Sequence, residues 1–139
     1  MTDPASHSQL IWDRDCAGTA QADSGCCLYT DPESGWSAGR LLVAAVESDV
    51  MATFLRIAAD AGVRVLGYVS AAEATLDHDP AVRPSIVVRP CIVVSHEKDR
   101  PLVQRLVLGA AGRSAIARAL GESPRIQAEV VVVPPAGPD

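Results

Sequence analysis

Two carboxylates, Glu47 and Asp49, stand inside an otherwise apolar run, Leu41 to Ala61, that reads LLVAAVESDVMATFLRIAADA. A buried carboxylate is costly unless it is paired or hydrogen-bonded. Desolvation raises its pKa, and near neutral pH it can then serve as a general acid or base. Two residues apart on a helix, the side chains diverge by about 200°, so the pair does not share a face. Each carboxylate has two readings. It emerges at a solvent gap or meets an arginine, with Arg14 and Arg64 as candidates, or it is a functional group at a pocket. The cysteines offer less: Cys16, Cys26, Cys27 and Cys91 form no CxxC pair, and His7, His78 and His96 lie far from them in sequence. No metal set and no cofactor is therefore expected, and the cysteines read as reduced thiols with structural roles.

The run that carries the carboxylates holds no Gly or Pro and is rich in Leu, Ala and Met, which predicts a helix. Ser37 can cap its start and Gly62 can stop it. Being apolar on nearly every face over its first two-thirds, it should be buried on most sides. At about 1.5 Å per residue it is about 30 Å long, the width of a small domain.

The remaining elements follow from turn chemistry and periodicity. Ser8 to Trp12, Ala17 to Ala22 and Cys26 to Thr30 read as short strands, divided by turns at residues 13–15 and 23–25. Residues 31–35, DPESG, form a loop that delivers Trp36 to the helix start, as core packing or as the wall of a pocket. Val63 to Leu76 reads as a long bent strand with a bulge near Gly67, and Ser85 to Ser95 as a second, in which Pro90 argues for a bulge or an edge. Together they predict an antiparallel hairpin. Asp99 can cap a helix from Pro101 to Ala111, Gly112 interrupts it, and Ser114 can cap a shorter one to Leu120. Arg125 to Val133 is a final strand. The order predicts an α+β fold with antiparallel pairing.

The 139 residues suit one domain, with 1–7 and 134–139 as disordered tails. A net charge of −5, scattered arginines and a single lysine, Lys98, argue against nucleic acid or an anionic membrane surface as partner. The polar N-terminus lacks the apolar centre of a signal peptide, and no stretch reaches the roughly 18 apolar residues of a membrane span. A cytoplasmic protein is the expectation.

This order, with the texture of two segments, resembles the OsmC/Ohr family (osmotically inducible protein C and organic hydroperoxide resistance protein). The resemblance spans residues 9–133. Family members carry a motif like PxELLxAAxASC at the start of the central helix, here Ala38-Gly39-Arg40-Leu41-Leu42-Val43-Ala44-Ala45-Val46-Glu47-Ser48-Asp49. A later motif like CPISNAL corresponds to Ser114-Ala115-Ile116-Ala117-Arg118-Ala119-Leu120. The resemblance implies antiparallel sheets around a long buried central helix, in an intertwined homodimer. It also implies that the peroxidatic cysteine falls on Asp49 and the resolving cysteine on Ser114. Those two thiols reduce an organic hydroperoxide by way of a sulfenic acid and a disulfide. Asp has no such oxidation and Ser forms no disulfide, so thiol peroxidase chemistry is not expected here. The family's Pro and Glu at the helix start are replaced as well, by Ala38 and by Gly39 or Arg40.

Three functions are then in view. The first is a pseudoenzyme that binds a small apolar organic molecule at the dimer interface. Trp36, Met51, Phe54 and Leu55 would line the pocket, and Asp49 and Ser114 would be its polar handles. The second is a cysteine-independent enzyme for hydrolysis, isomerisation or cyclisation. Asp49 would be its general acid or base, Glu47 and Ser114 the partners, and Arg40 a counter-charge. The third is a partner-binding module with Asp49 closed by an arginine. Residual organic hydroperoxide detoxification ranks last.

Overall fold

A computed structural model describes residues 5–33 and 35–134. Of the tails expected to be disordered, residues 1–4 and 135–139 lie outside the described range. The chain divides into two compact units, residues 1–42 and 43–139.

The N-terminal unit is a three-stranded antiparallel meander. Its strands are β1 (Ser8–Arg14), β2 (Ala17–Ala22) and β3 (Cys27–Thr30), in the order β1-β2-β3. Strand β1 runs two residues past its expected end at Trp12, into the expected turn, because the chain reverses tightly at Asp15, a non-glycine residue at φ 47°. The Trp12 indole N–H closes this turn on the Asp15 carbonyl at 2.9 Å. Gly18 faces Trp12 across β1 and β2, where an added Cβ would meet the Ile11 carbonyl oxygen at 3.0 Å. That close approach is the reason for a glycine inside a strand. After β3 the chain returns through a single bridge between Thr30 and Trp36.

Helix α1 (Ala38–Asp60) starts where expected: Ser37 Oγ accepts the Arg40 N–H at 3.2 Å. It ends at Gly62, whose φ of +76° is a left-handed conformation that glycine adopts without strain. The Val63 N–H then closes on the Ala58 carbonyl at 2.9 Å. Within the C-terminal unit the helix buries one face, Val46, Val50, Thr53, Phe54 and Ala58, at steps of three and four. The opposite face, Ala45, Ser48, Ala52, Arg56 and Ala59, is exposed. The expected burial on most sides is thus not supplied by one chain.

The expected hairpin is present. Strands β4 (Val65–Thr75) and β5 (Ser85–Val94) pair antiparallel over their whole lengths, with the irregularity between Val65 and Gly67. The final strand is two pieces, β6 (Arg125–Ile126) and β7 (Glu129–Val132), both parallel to β5. The sheet is therefore mixed, and β5 is its central strand.

Pro90 is consequently buried in the middle of the sheet and not at an edge. Val88 and Val94 direct their carbonyls at Gln127 N and Val133 N, both at 2.9 Å. Alternate residues share a side, so the N–H that Pro90 lacks faces the break between β6 and β7. No ladder bond is lost there.

A 3₁₀ turn, Glu97–Asp99, leads into α2 (Arg100–Gly112), and α3 (Ala115–Leu120) follows. Asp99 precedes α2 but caps nothing with its side chain, because the 3₁₀ turn holds its backbone at φ −82°, ψ −14° rather than extended. Arg100 anchors this junction instead. It makes two bonds to the Glu97 carboxylate, at 2.7 and 3.1 Å, and one to the Val130 carbonyl at 2.5 Å.

The core lies between α1, α2 and the inner sheet face. Phe54, Ala58, Val63, Ile92, Val94, Val103, Val107, Ala110 and Val130 form one cluster. Val46, Val50, Ile86 and Val88 form a second, toward the far end of the hairpin.

Candidate functional site

Helix α1 carries its two carboxylates in different directions, as the spacing requires, and each ends on a hydroxyl. Asp49 reaches α3. Its Oδ2 accepts the Ser114 hydroxyl at 2.5 Å and the Ile116 N–H at 3.4 Å. Ser114 is fully buried, and its Oγ also accepts the Ala117 N–H at 3.2 Å, so it caps α3 as expected. One hydroxyl therefore stitches the middle of α1 to the start of α3, 65 residues away. Asp49 is half-buried, and its second oxygen, Oδ1, is left without a hydrogen bond among the described residues. No arginine or lysine forms an ion pair with it among the described residues.

Glu47 turns to the sheet, where its Oε2 accepts the Ser70 hydroxyl. Tyr68, two residues before Ser70 on the same face of β4, packs its ring on Phe54 with centroids 6.0 Å apart. The Tyr68 hydroxyl is buried and has no hydrogen-bond partner among the described residues. Burial, and secondly the charge on Glu47, push its pKa up to about 12.

The expected pocket liners are distributed otherwise. Phe54 is fully buried in the core and has no surface to offer a ligand. Met51 is half-buried on α1. Trp36 and Arg40 belong to the N-terminal unit. Trp36 is half-exposed, and Arg40 gives its guanidinium to the Gly35 carbonyl at 2.8 Å.

The four thiols are divided between the two units. Cys16, Cys26 and Cys27 are exposed in the N-terminal unit. Cys91 pairs with Val69 and Ser70 with Pro90, so Cys91 points away from the sheet face that meets Glu47. No group of three or more potential metal ligands occurs among the described residues.

The sequence singled out Asp49, Ser114 and Glu47, but not Ser70 or the Ile116 amide. Ser70 could have been found from strand alternation, which puts it beside Tyr68 facing the long helix. The Ile116 amide follows from helix geometry, being the second free N–H after the Ser114 cap.

Other proteins share this arrangement of elements. An OsmC-like protein of unknown function from Vibrio cholerae superposes with a TM-score of 0.77 at 20% identity, over 93% of this chain and 100% of that one. The chain has the OsmC-like fold. An OsmC-like protein from Mycoplasma pneumoniae gives 0.74 at 14% identity, over 95% and 99% of the two chains. An organic hydroperoxide resistance protein of Bacillus subtilis gives 0.62 at 15% identity, over 91% and 97%. No protein-family model and no curated protein matches the chain by sequence. Among the described residues no helix is long and apolar enough to cross a membrane.

Proposed function

We propose that this chain is an OsmC/Ohr family member that has exchanged thiol chemistry for the binding of a small apolar organic molecule, with Asp49 as its polar anchor. One observation carries the reading: Asp49 and Ser114 meet at 2.5 Å, and the Asp49 Oδ1 accepts no hydrogen bond among the described residues. Two donors on Oδ2 fix the carboxylate, so Oδ1 is a preset acceptor for an O–H or N–H on a ligand. Its neighbours on α1 one turn away, Ala45 and Ala52, are exposed and small, and Ile116 adds a partly exposed apolar side chain from α3. A peroxidatic role for Asp49 has no chemistry behind it, since a carboxylate oxygen does not take up the peroxide oxygen.

A homodimer belongs to this reading. The exposed face of α1 is small-sided at Ala45, Ser48 and Ala52, where a second helix can approach closely, and carries Arg56 beyond them. Light scattering on the purified chain should give twice the 14.5 kDa of one copy; the mass of a single copy would count against it.

The test of binding is a thermal-shift series with small apolar alcohols and amines on the wild type and on Asp49→Asn. A ligand at a hundredfold excess over its Kd stabilises by about 2.7 kcal/mol, and the wild type should show such shifts while the variant loses them. Shifts that survive in Asp49→Asn would remove Asp49 from the site. In parallel, cumene hydroperoxide with a dithiol reductant should show no protein-dependent turnover.

A second reading rests on the same oxygen. An anchored carboxylate with one open acceptor is also the geometry of a general base. Turnover of any ligand found in the series, abolished in Asp49→Asn with binding retained, would establish it.

A further inference from the structure

Within the N-terminal unit, Leu10 faces Ala20 across β1 and β2, and Gly18 faces Thr30 across β2 and β3. Strand alternation puts these four on one side of the meander. The bridge from Thr30 to Trp36 sets the start of α1 beside them. Leu10, Ala20, Trp36 and Leu41 then wall an apolar slot of about 340 Å³, with Thr30 and Ser37 among its polar lining. That volume lies within the usual range for small-molecule sites. Ala20 offers only a methyl, which leaves the slot open next to Leu10. Leu10 and Trp36 are 70% and 45% exposed. Apolar groups left bare around a concavity mark a binding site.

Charge and hydrogen bonding define the occupant. Asp31 is the charged side chain on the wall of the slot, and it is already engaged. Its Oδ1 accepts the Glu33 N–H at 3.0 Å, and the Arg14 charge lies close to it. The slot thus holds no counter-charge for a ligand, and an ion entering it would lose hydration without gaining a partner. A neutral ring has no such cost and can stack on the Trp36 indole or meet it edge to face. The Thr30 hydroxyl spends its proton on the Gly18 carbonyl at 3.1 Å and keeps its oxygen as an acceptor. Ser37 Oγ accepts the Arg40 N–H, and its own proton is uncommitted among the described residues. The slot therefore offers one donor and one acceptor, both of which a phenolic hydroxyl can use. We propose that this slot binds a neutral hydroxyarene, with its rings against Trp36 and its hydroxyl toward Ser37 and Thr30. This site is independent of the ligand reading for Asp49.

The test uses the full chain and three matched probes near neutral pH: 2-naphthol, 2-naphthoate and 2-naphthylmethylammonium. Equilibrium dialysis should show saturable binding of 2-naphthol, with a Kd below about 1 mM. Both ions should bind at least about ten-fold more weakly, because the slot does not replace their hydration. The chain has two tryptophans, so the ¹⁵N-labelled protein shows two indole N–H peaks, which Trp36→Phe assigns. 2-Naphthol should shift the Trp36 peak more than the Trp12 peak. Ala20→Phe, which fills the slot, should abolish binding. Trp36→Ala serves if circular dichroism shows that Ala20→Phe does not fold, and it should weaken binding at least about ten-fold. Asp49→Asn should leave 2-naphthol binding unchanged, which separates this site from the one on α1. Equal affinity for the three probes, or binding that spares the Trp36 peak or survives Ala20→Phe, overturns the proposal. So does an absence of binding up to about 1 mM, the result expected if a second copy of the chain fills the slot.

Discussion

The two units of this chain solve the burial problem to very different degrees. The C-terminal unit closes around Phe54, Ile92, Val94, Val103 and Val107, none of which shows any surface. The N-terminal unit has three well-registered strands, yet Ala17 and Gly18 are the buried residues among its described positions. Strand β1 is exposed along its whole length, with Leu10 at 70% and Trp12 at 74%. A sheet can therefore be specified by turns and cross-strand pairs while its apolar side chains remain uncovered. Bare surface of that kind marks a binding or assembly face.

That contrast can be broken by truncation. Phe54→Ala should cost about 3–5 kcal/mol, because it empties a closed core that other side chains cannot refill. Urea titration followed by circular dichroism reads this directly, and a loss under 1 kcal/mol would mean that the core is not the one described. Ile11→Thr on β1, at a side chain 56% exposed, should behave otherwise. On an uncovered strand a substitution of this kind changes stability by no more than about 0.5 kcal/mol. If a second copy also covers β1, the cost exceeds that, and the melting temperature comes to depend on protein concentration. A cost under that bound at every concentration would leave β1 outside the interface.

The Asp49–Ser114 stitch sharpens the comparison within the C-terminal unit, since it is the polar link between α1 and α3. Asp49→Leu removes the acceptor and strands a buried hydroxyl, which should cost about 1–3 kcal/mol. Asp49→Asn keeps an acceptor and should cost less, so equal losses in urea titration would mean that the hydroxyl is not held by the carboxylate. The double variant Asp49→Cys/Ser114→Cys replaces two side chains that already touch. If these are the two redox positions of the family, cumene hydroperoxide should oxidise the pair to a disulfide, with release of the alcohol and water. Loss of two titratable thiols against the wild type measures this, and two thiols that stay free would separate Asp49 and Ser114 from those positions.

What the sequence made legible follows the same division. Helix ends at Ser37 and Gly62, the hairpin bulge and the Ser114 cap were readable because each is set by local chemistry over a few residues. Glu47 and Asp49 stood out as carboxylates in an apolar run, and helix geometry alone sent them apart. Asp49 and Ser114 could be joined only through the family resemblance, because nothing local in a 65-residue separation specifies contact. Pro90 misled for a physical reason: proline is excluded from sheet interiors by its missing N–H, and the break between β6 and β7, which removes the need for that N–H, lies some 37 residues downstream. Phe54 misled because a helix apolar all round gives no signal of which face meets its own core and which is left open.

The smallest expected effect concerns the second carboxylate. Tyr68 is held neutral to about pH 12, first by burial and then by the charge on Glu47. In the unfolded chain a tyrosine ionises near pH 10. Below that value both states carry the proton and the group has no influence on stability. Above it the unfolded state loses its proton first, so the fold weakens as pH rises from about 10 to about 12. In a Tyr29→Phe background Tyr68 is the single tyrosine, and its ionisation can be followed at 295 nm. Glu47→Gln should lower its midpoint while leaving it above that of an exposed tyrosine, because burial is the larger cause. A midpoint that does not move would show that the Glu47 carboxylate lies too far from the phenol to matter. One that falls to the exposed value would show that Glu47, by holding Ser70, keeps water away from Tyr68.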